Sequence, residues 1–179
     1  MRRLLALALL AAAPALALEA QPRTLDVDGA RLDYLLRTHP PDAHLQDTST
    51  PIAPTSALNT AKLINRHLAA GEIEEAALLS NAPRRRYEVF RDYRSSIGEE
   101  EFRRVFAQYF FPENRLLAEV AIGRHRLLIW RLKHGEHLAG QYFVEVEGKF
   151  LMDDTPSETR ASLRRILEAY RSGKIRSSD

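Results

Sequence analysis

The sequence predicts an α+β fold, with N-terminal helices packed on a curved antiparallel meander of about four strands and a C-terminal helix. Three observations predict it. Apolar residues recur at helical spacing from Leu58 to Tyr109, alternate with period two from Leu116 to Met152, and return to helical spacing from Leu163 to Tyr170. Segregated blocks of this kind place helices against one face of a sheet. With 179 residues, 45% hydrophobic and 28% charged, the chain suits one domain with a real core. That composition excludes collagen-like, fully disordered and disulfide-dense classes. A net charge of +2 does not mark a nucleic-acid binder, so no nucleic-acid partner is expected.

The first element is a leader. Arg2 and Arg3 precede an apolar run from Leu4 to Ala13, and Ala15-Leu16-Ala17 is an A-x-A cleavage pattern. A cut after Ala20 fits as well, so residues 1–20 read as a signal peptide. The run is shorter than the ~20 residues that span a bilayer, and no later stretch spans either. Periplasm or secretion to the medium is the expected location. The absence of cysteine removes disulfides, thiol catalysis and zinc–thiolate sites, and excludes a lipoprotein.

Residues 21–56 form a hairpin and a strap. Leu25 and Val27, then Ala30, Leu32 and Tyr34, alternate around the turn pair Asp28-Gly29. Asp26 and Asp28 resemble the start of a calcium loop, but the downstream ligand spacing is missing. Thr38 to Ser56 holds Pro40, Pro41, Pro51 and Pro54 among Thr, Ser, Asp and Gln, which predicts an extended strap loosely joined to the rest of the chain.

Residues 57–173 are the predicted domain, and 174–179 a tail. Leu58, Ala61, Ile64 and Leu68 define the first helix, which Gly71 stops. Ile73 to Ser80 is a short second helix. Pro83 opens a third along Tyr87, Phe90 and Ile97. Ser96 to Glu99 reads as a capping box for a fourth, carrying Phe102, Val105, Phe106 and Tyr109. Strands follow at Leu116–Ile122, Leu128–Leu132, Tyr142–Val146 and Phe150–Met152, with turns at Gly123-Arg124, His134–His137 and Glu147-Gly148. Thr155-Pro156-Ser157-Glu158 reads as a capping box with proline at the first position of the last helix, which Gly173 closes.

The alternation sorts the meander into two faces. Leu116, Ala118, Val120, Leu128, Trp130, Leu132, Tyr142, Val144 and Met152 are expected to meet the helices. The other face carries Leu117, Ile129 and Phe143 beside Glu119, Arg131, Gln141 and Glu145. An apolar patch rimmed by charge predicts an interface. Leu117, Glu119, Ile129, Arg131, Phe143 and Glu145 are the interface candidates, for a homodimer through the outer sheet face. Cover by the strap or the last helix is the competing expectation.

Leu68-Ala69-Ala70-Gly71-Glu72-Ile73-Glu74-Glu75-Ala76-Ala77 resembles the opening of NTF2-like (cystatin-like cone) domains. Phe143 to Asp154 is similar to the closing hairpin of exported members. The likeness spans about residues 57–154. It implies helices on a curved antiparallel sheet, a pocket at the open end, and dimerisation through the other face. The preceding hairpin and strap, the four helices and the capped last helix depart from the pattern. The superfamily holds ketosteroid isomerases, dehydratases and domains that only bind or scaffold, so fold does not choose a function.

The pocket-facing positions supply Tyr93, Tyr109, Trp130 and Tyr142 as ligand-pocket candidates. An isomerase-type site also needs a carboxylate base, and Glu119 and Glu145 alternate onto the opposite face. The catalytic residues therefore stay unknown. Asp153-Asp154 is expected to stabilise the start of the last helix. His134, Glu136 and His137, with His125 as the one near addition, read as a polar turn and not a metal site. No G-x-S-x-G or phosphate-binding glycine loop occurs, glycines fall at turns and caps, and no metal or cofactor is expected.

Charge is uneven. Residues 83–97 hold five arginines against Glu88 and Asp92, a net +3, and 156–179 hold six basic against three acidic residues, also +3. Residues 24–56 carry a net −3. Arg84, Arg85, Arg86 and Arg91 are the candidates for contact with an anionic partner or membrane surface. The first functional reading is an exported non-enzymatic domain that binds a small apolar ligand or a protein partner. An acid/base enzyme acting on a hydrophobic substrate in a cone-shaped pocket is the alternative. An envelope interaction protein using its Arg-rich helices is the third.

Overall fold

Six strands hydrogen-bond in chain order into one antiparallel sheet, and five α-helices pack on it. The computed structural model describes residues 19–27, 29–46, 51–133 and 138–175. The chain runs β1 (Gln21–Val27), β2 (Ala30–Thr38), α1 (Ala57–Ala70), α2 (Ile73–Leu78), α3 (Pro83–Ile97) and α4 (Glu99–Ala107). A 3-10 turn (Gln108–Phe110) leads into β3 (Arg115–Ile122), β4 (His125–Arg131), β5 (Ala139–Val146), β6 (Lys149–Met152) and α5 (Glu158–Arg171). The expectations for the leader, Asp28 and the His134–His137 turn lie outside the described residues. Among the described residues, no helix is long and apolar enough to cross a membrane.

Local signals account for most boundaries. The Ser56 hydroxyl accepts from Asn59 N at the start of α1, and Gly71 ends it in the left-handed conformation at φ 82°. Pro83 stands in the first turn of α3. Glu147 and Gly148 both have positive φ, the geometry of a tight hairpin turn between β5 and β6. Two predicted caps differ. Gly98 precedes α4 without a side-chain cap, and Ser96 instead donates to the Tyr93 carbonyl of the preceding turn. Ser157, not Thr155, caps α5 by accepting from Arg160 N, so Pro156 lies outside the helix.

The sheet has six strands where the sequence suggested about four, because the N-terminal hairpin joins it ahead of the helices. Leu35 to Thr38 of β2 pair with Ala121 to Ala118 of β3. The strap is tied at both ends rather than loose. His39 N donates to the Leu117 carbonyl, Leu116 N to the Ala43 carbonyl, and Phe150 N to the Pro54 carbonyl. Leu45 is fully buried in the core.

Two apolar clusters form, one on each side of the sheet. Helices α1 to α4 close the first over Leu116, Leu128, Trp130 and Phe143. Helix α5 closes the second over Tyr34, Leu36, Ala118, Val120, Leu127 and Ile129. The expected sorting of faces therefore changes in two places. The β3–β4 register shifts between Leu116 and Ala118, and this bulge sends Leu116 to the helix layer but Ala118 and Val120 toward α5. Across β4 and β5, Leu127 stands opposite Tyr142 and Arg126 opposite Phe143, which sends Tyr142 to the α5 side and Phe143 to the helix layer. Alternation fixes two faces within each strand, but only register fixes which faces match between strands.

Candidate functional site

The four aromatic candidates do not share one pocket. Trp130 is fully buried in the first cluster, where its indole N–H donates to Gln141 Oε1 at 3.1 Å. Tyr109 packs edge-on against it at 5.8 Å, and burial pushes its hydroxyl up from the ordinary tyrosine range. Tyr93 is 39% exposed and meets Phe102 at a tilt and Phe106 edge-on. Tyr142 lies across the sheet from these three.

The interface candidates scatter as well. Ile129 is buried under α5, and Phe143 is buried under the four-helix layer, on the opposite face. Leu117 sits at the bulge. Glu119 pairs with Arg37 at 3.7 Å and Arg126 at 3.5 Å. Glu145 is half-buried and Arg131 exposed. The expected apolar patch is thus divided between two intramolecular cores.

The Arg-rich start of α3 is largely occupied. The Arg86 guanidinium grips both carboxylate oxygens of Asp154 and covers the Phe90 ring at 5.3 Å. Arg85 reaches the Asp154 carbonyl at 3.5 Å, and Arg91 pairs with Asp92 at 2.8 Å. Arg84 is exposed.

Asp153 and Asp154 act on the α2–α3 turn, not on α5. The Ser80 hydroxyl donates to Asp154 Oδ2 at 2.6 Å, and Asn81 Nδ2 to Asp153 Oδ1 at 3.0 Å. His125 Nδ1 lies 3.0 Å from Asp153 Oδ2. Backbone bonds between Leu79, Asn81 and Met152 complete a knot that fastens the helices to the edge of the sheet. Every carboxylate oxygen in it has a partner, the condition for burying such charges.

One open feature of the surface is a cleft of about 400 Å³ between β5 and α5. Helix α5 packs on β3 and β4 and comes down onto Gly140 of β5. A Cβ on Gly140 would stand 2.6 Å from Leu167 Cδ2 and 3.0 Å from Leu127 Cδ1, so any other residue there would have to push these leucines aside. From that point the cleft runs along Tyr142, Ala161 and the turn at Ser157. Arg160, Arg164 and Arg171 line it together with Glu168. The Arg160 guanidinium lies over the Tyr142 ring, 5.3 Å from its centroid, while its buried Nε has no hydrogen-bond partner. Arg171 donates twice to the Leu138 carbonyl, at 2.9 and 2.7 Å, and holds Glu168 at 2.7 Å. Burial pushes the Tyr142 hydroxyl up, and the three arginines pull against that rise.

Of the sequence candidates, only Tyr142 belongs to this cleft. Sequence reasoning missed the arginines, although their spacing was a signal: positions 160, 164 and 171 fall on one stripe of a 3.6-residue helix. Gly140, expected at a turn or cap, sits inside β5 instead, a mark of close backbone approach.

Searches of protein-family models, curated proteins and solved structures find no match for this chain. The fold and the cleft define its class: an α+β domain whose sheet carries a helix layer on one face and a single helix with a cationic cleft on the other.

Proposed function

We propose that the chain is an exported, non-enzymatic binding domain, and that the β5–α5 cleft holds a small-molecule ligand. The cleft itself carries the proposal. Its volume of about 400 Å³ falls in the range of small-ligand pockets, roughly 300–1,000 Å³. Its wall joins an aromatic face to polar groups, among them the Arg160 side chain. The non-enzymatic reading is supported by Asp153 and Asp154, whose oxygens are taken up in fastening the α2–α3 turn. Export is supported by the leader at residues 1–20.

Native mass spectrometry of the full chain, purified without refolding, tests the proposal. The wild type is expected to carry a reproducible small adduct, and Ala161→Trp, which fills the cleft, is expected to lose it with an unchanged circular dichroism spectrum. A bare wild type, or an adduct that survives in Ala161→Trp, would contradict it.

A further inference from the structure

We infer that the ligand of this cleft is a small organic molecule with an oxyanion head, phosphate or carboxylate, received by Arg160, Arg164 and the Tyr142 hydroxyl. The inference rests on the reading of the cleft as a ligand site and adds the chemistry of what enters it.

The charge layout of α5 is the first argument. Arg160, Arg164, Glu168 and Arg171 follow one another along the stripe that faces β5. The acidic residues of the helix are paired with other arginines. Glu168 is held by Arg171 at 2.7 Å, and Glu158 lies 3.8 Å from Arg165 on another side of the helix. Among the described residues, no carboxylate stands within ion-pair distance of Arg160 or Arg164. Two like charges four residues apart on a helix repel, and among the described residues no ion pair relieves either of them. An anion in the cleft does.

The second argument is the state of Arg160. Its guanidinium lies over the Tyr142 ring, 5.3 Å from the centroid. Its Nε–H is withdrawn from solvent yet donates to nothing. Buried donors are costly when unmade, and a planar guanidinium edge matches two oxygens of a carboxylate or phosphate. Tyr142 lines the same cleft as Arg160, Arg164 and Arg171, so an oxygen bound among them also has a neutral phenol as donor.

The third argument is size and lining. About 400 Å³ exceeds what a bare phosphate fills. Leu167 and Ala161 provide an apolar flank for the remainder of the molecule. The wall at Pro156 and Ser157 is the start of α5, a helix of 14 residues, whose positive end adds to the same field.

Isothermal titration of the full chain with four probes tests the inference. Phenyl phosphate and phthalate carry the head and a body, inorganic phosphate the head alone, and benzyl alcohol the body alone. Phenyl phosphate or phthalate is expected to bind at least tenfold more tightly than either fragment, and to weaken as salt rises. Arg160→Gln combined with Arg164→Gln is expected to cost at least tenfold. Arg165→Gln, outside the cleft, leaves binding unchanged. Competition by phosphatidylglycerol vesicles against phenyl phosphate would assign the head to a lipid, and lack of competition to a soluble molecule; both keep the oxyanion.

Benzyl alcohol binding as tightly as phenyl phosphate would overturn the inference, as would probe binding indifferent to the double variant. In either case, an adduct that is lost in Ala161→Trp would leave the ligand cleft standing with a different occupant. No probe binding together with a bare native spectrum would overturn both.

Discussion

Four helices cover the sheet face that carries Leu128, Trp130 and Phe143, whereas a single helix, α5, covers the face with Leu127, Ile129 and Tyr142. The first face interlocks through aromatic contacts. Tyr109 meets Trp130 edge-on, and Phe102 and Phe106 meet at a tilt, 4.8 Å between centroids, with Phe90 and Tyr93 beside them. The second face is limited by geometry. A helix is about 10 Å across and strands are about 4.8 Å apart, so one helix covers about two strands. Helix α5 spends its apolar stripe on β3 and β4, and its next stripe, the arginine-bearing one, hangs beside β5. Filling a face builds stability, and leaving part of one uncovered builds a cleft.

Substitutions on the two faces sharpen this contrast. The largest expected effect is at Trp130. Trp130→Ala removes a fully buried ring and an indole hydrogen bond, and is expected to cost about 3–5 kcal/mol in urea unfolding. Tyr142→Ala, beside an open cleft, is expected to cost much less. Equal losses at the two sites would break the contrast.

Next is the knot that fastens the helix layer. Asp154→Ala leaves Arg86 and Ser80 without their acceptor, with an expected loss of about 3 kcal/mol by the same assay. A loss under about 1 kcal/mol would place the knot among weak surface pairs.

Gly140→Ala tests how closely α5 sits. The new methyl meets Leu167 and Leu127, and the expected cost of overpacking is about 1–3 kcal/mol. Unchanged stability would mean that α5 stands off the sheet.

The smallest effect is a pH dependence at the junction of hairpin and strap. Burial, with help from Arg37, holds the His39 imidazole below its ordinary pKa. The unfolded chain then binds the proton more readily than the folded one. Stability is accordingly retained above about 6.5, falls as pH drops below that value, and levels off once the lower folded value is passed. His39→Gln is expected to flatten this part of the curve, and an identical slope in both proteins would reject the assignment.

Much of the fold was legible in the sequence because its signals are local. The apolar spacing of Leu58, Ala61, Ile64 and Leu68 and the stop at Gly71 mark α1 without knowledge of its neighbours. The pairing of β2 with β3 was not legible, because 79 residues or more separate Leu35 to Thr38 from their partners and no local pattern encodes that contact. The placement of Tyr142 failed for a related reason. The phase between β4 and β5 depends on the register between the two strands, and a single-residue slip exchanges the faces. The cleft was hidden because its cations came to notice as a net charge of residues 156–179. Only the helix, once docked on β3 and β4, turns Arg160, Arg164 and Arg171 toward one aromatic ring.

The most direct test of the account compares the two faces in one spectrum. The full chain, labelled with nitrogen-15, is titrated with phenyl phosphate and followed by two-dimensional NMR. The account predicts that the amides of Gly140, Tyr142, Ala161 and Arg164 shift with a common saturation curve, while the Trp130 indole signal stays in place. Movement of the Trp130 indole, with the amides of α5 unmoved, would put the ligand under the four-helix layer and contradict the account.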